Sequence, residues 1–110
     1  MKHRGQLSAA ERQARSRLTR LVHESPFLCG SLVTLSRRCG KPGCKCVRGE
    51  RHQSLALAVR VGRARKMLHV PKKHEEQIGR WVQNYREIKD LMDHVSAANL
   101  QRWLAEKEAR

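Results

Sequence analysis

Residues 54–70, SLALAVRVGRARKMLHV, decide how the rest of the chain is read. Leu55, Leu57, Val59 and Val61 alternate with Ser54, Ala56, Ala58 and Arg60, the period of two that sends one set of side chains to a buried sheet face. Gly62-Arg63-Ala64 interrupts the run and Met67 to Val70 resumes it. Ser54 to Val70 is therefore expected to form a two-stranded antiparallel hairpin. Its tip carries Arg60, Arg63, Arg65 and Lys66, with no acidic residue among them.

Downstream, Pro71 suits the first turn of a helix, where its missing amide costs nothing. Ile78, Trp81, Tyr85, Ile88, Met92, Val95 and Asn99 then step by three and four, a heptad-like seam, and Leu100, Trp103 and Leu104 extend it. Opposite charges at i and i+4, such as Glu76 with Arg80 and Lys89 with Asp93, line the other faces. Upstream, Phe27 to Leu35 is apolar with small residues interspersed and reads as either a short strand or a helix end. Ser8-Ala9-Ala10-Glu11 is a capping box that starts a first helix. Ala10, Ala14, Leu18, Leu21 and Val22 form its apolar side, Arg12, Arg15, Arg17 and Arg20 the remaining surface, and Ser25-Pro26 its end.

The fold class is thus α+β: an N-terminal helix, a zinc knuckle loop, a two-stranded hairpin and a long C-terminal helix. Residues 1–25 are the basic helix, 26–74 the knuckle and hairpin, and 75–110 the amphipathic helix, in one compact domain overall. A chain of 110 residues buries little core, so a staple is plausible.

Charge narrows the function. The net charge of +14 comes from 24 Lys and Arg against 10 Asp and Glu. Residues 1–74 hold 18 basic and 3 acidic side chains, whereas residues 75–110 hold 6 and 7. Such an uncompensated positive region calls for a polyanion, and nucleic acid is the default. Anionic membrane is the weaker option, because the first helix lacks aromatic anchors. The longest apolar run, Leu55 to Val59, is far short of the roughly 20 residues of a membrane span. The start, MKHRGQLSAA, lacks the apolar region of a secretory signal, so a cytoplasmic, nucleoid- or ribonucleoprotein-associated protein is expected.

In a reducing compartment, clustered cysteines point to metal or catalysis rather than disulfides. Cys39, Cys44, Cys46 and His52 make C-x4-C-x-C-x5-H, three thiols and an imidazole that suit structural, tetrahedral Zn2+. Ligands about 2.3 Å from one metal require a sharp turn. Gly40, Pro42 and Gly43 supply it. Arg37, Arg38, Lys41, Lys45, Arg48 and Arg51 favour thiolates and offset the negative charge of a three-thiolate centre. Cys29, in Leu28-Cys29-Gly30, reads as a buried small hydrophobe, and as the substitute ligand should His52 be free. A thiol redox role for Cys44 and Cys46 is the competing reading. A catalytic zinc needs an open position and a general base, as in H-x-E. Glu50 is the only carboxylate near the ligands, and no phosphate loop or nucleophile-base set is present. His3, His23, His69, His74 and His94 are scattered. The chain reads as a non-enzyme.

Gly30-Ser31-Leu32-Val33, the block Cys39-Gly40-Lys41-Pro42-Gly43-Cys44-Lys45-Cys46, Gly49 and His52, Val70-Pro71-Lys72 and Trp81-Val82-Gln83-Asn84-Tyr85-Arg86 together resemble a family of small uncharacterised prokaryotic domains. The resemblance covers about residues 30 to 100, and the C-G-K-P-G-C-x-C block is its most specific part. Members often lie near transposases and other mobile-element genes, so it implies a zinc-binding, nucleic-acid-associated module. The family usually has aromatics after the histidine, where this chain has Gln53-Ser54-Leu55-Ala56-Leu57.

Aromatics are few: Phe27, Trp81, Tyr85 and Trp103. Backbone-dominated contact with duplex DNA or structured RNA is therefore expected, with Arg and Lys on phosphates. The first helix, the zinc loop and the hairpin tip are read as one positive surface, DNA being slightly favoured. The alternative is an interaction subunit whose heptad helix pairs with itself, as a homodimer, or with a transposase or nuclease partner.

Overall fold

A computed structural model describes residues 7–37 and 52–109, with the backbone alone for Arg37 and His52. The order of elements is α1 (Ala9–Glu24), β1 (Gly30–Arg37), β2 (His52–Val61), β3 (Ala64–Val70), a 3-10 turn (Lys72–His74) and α2 (Glu75–Glu108). The chain divides into two compact units, the first Leu28–Val82 and the second Met1–Phe27 with Gln83–Arg110.

The first unit is built on an antiparallel sheet of order β1-β2-β3. It has three strands, not the two of the expected hairpin. The ambiguous stretch before the cysteines is a strand, paired with β2 from Gly30↔Val59 to Arg37↔His52. Leu57, Val59, Val70 and Val82 form the buried cluster, with Leu28, Leu32, Leu55 and Ile78 packed on it. Burying each such aliphatic side chain is worth about 1.5–3 kcal/mol. The first turns of α2 thus cover one sheet face, and the Leu28 amide donates to the Trp81 carbonyl at 3.2 Å.

Two glycines are placed by backbone geometry. Gly62 opens the two-residue turn between Val61 and Ala64 with φ of 63°, the first position of a type II′ turn. Gly30 lies so close to β2 that an added Cβ would stand 2.4 Å from the Ala58 carbonyl oxygen. Gly30→Ala must push β1 off its partner and is expected to cost about 1–3 kcal/mol, the usual range for overpacking. Thermal melts and amide exchange along β1 check this. An unchanged melting temperature would mean that β1 does not pair in this register.

In the second unit α1 and the remainder of α2 run antiparallel. Glu11 bonds Arg102, Arg15 bonds Asn99, Arg17 bonds Glu87, and the Asn84 amide donates to the Pro26 carbonyl at 2.9 Å. The Ser8 hydroxyl caps α1 by accepting from the Glu11 amide at 3.1 Å, as the capping box predicts. Buried or half-buried positions step by three and four on both helices: Glu11, Ala14, Leu18 and Leu21 on α1, and Asn84, Ile88, Leu91, Val95, Ala98 and Arg102 on α2. A heptad seam therefore exists and keeps Ile88 and Val95 of the expected one, but Leu91 and Ala98 take the places of Met92 and Asn99, which are exposed. The seam is used inside the unit, by α1. Among the described residues no helix is long and apolar enough to cross a membrane.

Candidate nucleic-acid interface

Alternation along β2 turns Leu57 and Val59 to the core and Arg60 to the other sheet face. On that face Arg60 is the register partner of Arg65. Like charges directly opposite one another destabilise a sheet, so this pair works against folding. Arg60, Arg63, Arg65 and Lys66 are all exposed, and none of them has an ion pair among the described residues. The described carboxylates of this unit are Glu75 and Glu76, in the first turn of α2. They belong to the opposite end of the sheet.

That opposite end is where the cysteine connection begins and finishes. Because Arg37 pairs with His52, residues 38–51 leave and re-enter the sheet at adjacent strand positions. Cys39, Cys44 and Cys46, with Arg38, Lys41, Lys45, Arg48 and Arg51, lie outside the described residues, as do the side chains of Arg37 and His52. β3 ends at the same edge of the sheet, Val70 standing opposite Leu55, and runs on into the exposed Lys72 and Lys73. The hairpin tip thus lies at the opposite end of β2 from His52, where residues 38–51 join the strand. Lys72 and Lys73 are additional candidates.

Cys29 is exposed and free rather than buried. It precedes β1 at the tip end, about 26 Å of strand from Arg37 at 3.3 Å per residue. Among the described residues no group of three or more His, Cys, Asp or Glu is placed to hold a metal ion.

On α1, Arg12 is exposed and donates to the Leu7 carbonyl at 2.7 Å, and Arg20 is exposed. Arg15 and Arg17 are engaged within their own unit. Arg15 Nε donates to Glu11 Oε2 at 2.8 Å, and Arg17 forks onto Glu87 at 2.8 and 3.3 Å. The Arg102 hydrogen bond holds the Glu11 carboxyl below its ordinary range against the opposing effect of burial, and Arg15 adds to it. Arg17 likewise lowers Glu87. A phosphate approaching Arg17 has to displace a carboxylate. A cavity of about 400 Å³ beside α1 is lined by Leu7, Arg12, Arg15, Ser16 and Thr19, two guanidiniums and two hydroxyls of the kind that contact phosphate.

Residues 7–80 match the family model described as "Domain of unknown function (DUF6788)". The chain belongs to that family. An uncharacterised family is what the sequence resemblance implied. The DUF6788 match takes in α1, all three strands and the first turns of α2, so both ends of the sheet lie inside it. Comparison with curated proteins and with solved structures gave no match.

Proposed function

We propose that this DUF6788 chain is a small nucleic-acid-binding module whose cysteine loop is stapled by structural zinc, and that it acts by binding rather than by catalysis. The observation that carries the reading is the Arg60–Arg65 pair, two guanidiniums held opposite each other with no carboxylate partner among the described residues. Such a pair is relieved by a phosphate backbone, whose condensed counterions are released on binding. The strands carry no Phe, Tyr or Trp, which favours backbone contact over base stacking. Duplex DNA is slightly favoured over RNA, within the cytoplasm and as an accessory to a mobile-element or nucleic-acid-processing machine.

Cys39, Cys44, Cys46 and His52 would hold the zinc. The Arg37↔His52 pairing supports this, because it puts His52 at the base of the same connection that carries the three thiols. A bound zinc supplies a cross-link that contributes directly to folding. Purified natively, the protein is expected to contain one zinc per chain and to carry nucleic acid that salt removes. Metal-free protein with oxidised thiols would favour the redox reading. Absence of duplex binding even at low salt would remove the nucleic-acid reading.

A second reading, an interaction subunit, rests on Met92, Leu100 and Trp103, which are 54%, 50% and 55% exposed on α2. A strictly monomeric particle by light scattering would remove its homodimeric form.

A further inference from the structure

β3 is an edge strand whose one neighbour is β2. Six of its seven residues, Ala64 to His69, are exposed. The ladder decides which of its backbone groups are open. The Arg60 amide donates to the Cys29 carbonyl at 3.3 Å, toward the β1 side of the sheet. Backbone groups of an antiparallel strand alternate between its two sides, so Val61, Val59, Leu57 and Leu55 face β3, and their partners Ala64, Lys66, Leu68 and Val70 face back. Arg65, Met67 and His69 therefore turn their N–H and C=O groups outward, where they meet no partner among the described residues.

The side chains along this edge come in two pairs. Arg65 and Lys66 stand on opposite faces of the sheet, both exposed and without an ion pair among the described residues. Met67 and Leu68 follow, again on opposite faces, 58% and 48% exposed. Cations on an edge keep a second copy off, since another β3 laid here would set Arg65 and Lys66 against like charges. The same cations favour a strand of opposite charge. A phosphate backbone would satisfy the side chains but has no donors for the outward carbonyls, whereas a peptide offers donors and acceptors alike. β1, the other edge, has no charged side chain over residues 30–36 and selects no such partner.

We infer that β3 accepts an acidic protein segment as an added strand, two acidic residues lying beside Arg65 and Lys66 and two apolar ones beside Met67 and Leu68. Main-chain hydrogen bonds supply the affinity of such strand addition, and the neighbouring side chains supply the selection. The inference goes beyond the nucleic-acid reading and does not rest on it, although Arg65 and Lys66 are common to both.

The probes are a fluorescent peptide, Ser-Thr-Val-Val-Glu-Glu-Thr-Ser, and its Lys-Lys counterpart, each titrated into the intact protein. The acidic peptide is expected to bind roughly tenfold more tightly, the scale of two cross-strand charge pairs changed from repulsion to attraction. It should slow exchange at the amides of Arg65, Met67 and His69, while those of Lys66 and Leu68, already bonded to β2, keep their protection. Met67→Pro removes an outward amide and no β2–β3 hydrogen bond, so it should stay folded and lose peptide binding. R65E/K66E alters exposed side chains only and should reverse the preference between the two peptides. Equal affinity for both peptides, or a folded Met67→Pro chain that binds as the parent does, overturns the inference. Protection of the three amides that follows duplex DNA, or protein concentration alone, and not the acidic peptide overturns it too, assigning the edge to nucleic acid or to a second copy. Absence of duplex binding removes the nucleic-acid reading and leaves this one standing.

Discussion

Glu11→Ala is expected to lower the melting temperature by roughly 5–10 °C, the scale of a disrupted buried polar network in a small domain. Glu11 is 1% exposed and is the only buried charged residue among those described. Its carboxylate accepts from Arg15 at 2.8 Å and from both terminal nitrogens of Arg102, and Asn99 Oδ1 accepts from both arginines. Removing the carboxylate leaves two guanidiniums sharing one amide oxygen, with no negative charge between them. Breaking one partner of a buried pair costs more than the pair itself contributes. The direction with pH follows from the lowered carboxyl. A group whose folded pKa lies below its unfolded value stabilises the fold fully above the unfolded value, near 4.5, and loses that contribution as pH falls through the folded one. The parent chain should therefore lose stability on acidification below about pH 4.5. Glu11→Gln, which keeps the volume but cannot ionise, should lose less over the same interval. Parallel losses in the two chains would show that the acid response arises elsewhere.

That network explains why part of the fold could not be read from residue patterns. Hydropathy drew the seam of α2 through Met92 and Asn99, yet the buried line passes through Ala98 and Arg102. An arginine is acceptable there because Glu11, 91 positions away, neutralises it. No local period carries such a pairing. β2 was legible because its two faces differ in kind, Leu57 and Val59 on one and Ala58 and Arg60 on the other. β1 was not, since Leu32, Val33 and Leu35 place apolar side chains on both faces, and only its pairing with β2 makes it a strand.

The candidate site divides along the same line. Arg60, Arg63, Arg65 and Lys66 were recognisable because a hairpin turn exposes its tip by local geometry alone. Arg17 looked equally available on α1, but Glu87, 70 positions on, takes its guanidinium. Lys72 and Lys73 were overlooked for the opposite reason: their place at the end of the sheet away from the hairpin tip comes from the β2–β3 register, not from neighbouring sequence.

Affinity for duplex DNA is expected to fall about a thousandfold between 50 and 200 mM salt. Each phosphate contact contributes about −0.9 to the slope of log affinity against log salt. The six cations at the two sheet ends, Arg60, Arg63, Arg65, Lys66, Lys72 and Lys73, would give a slope near −5, and a fourfold rise in salt then removes about three decades. Arg38, Lys41, Lys45, Arg48 and Arg51 add five more if zinc holds them against the backbone, steepening the slope toward −10. The slope therefore counts which cations touch phosphate. R60E/R65E should reduce it by about 2 whatever the loop does, since each lost phosphate contact removes about one unit. Chelating the metal should reduce it by the share of the loop and leave the share of the sheet ends. A slope near −5 both with and without chelator would mean that the loop cations do not touch phosphate and that the metal serves folding alone. A slope near zero would mean that neither sheet end meets a phosphate, and the unpaired arginines at the hairpin tip would need another acidic partner.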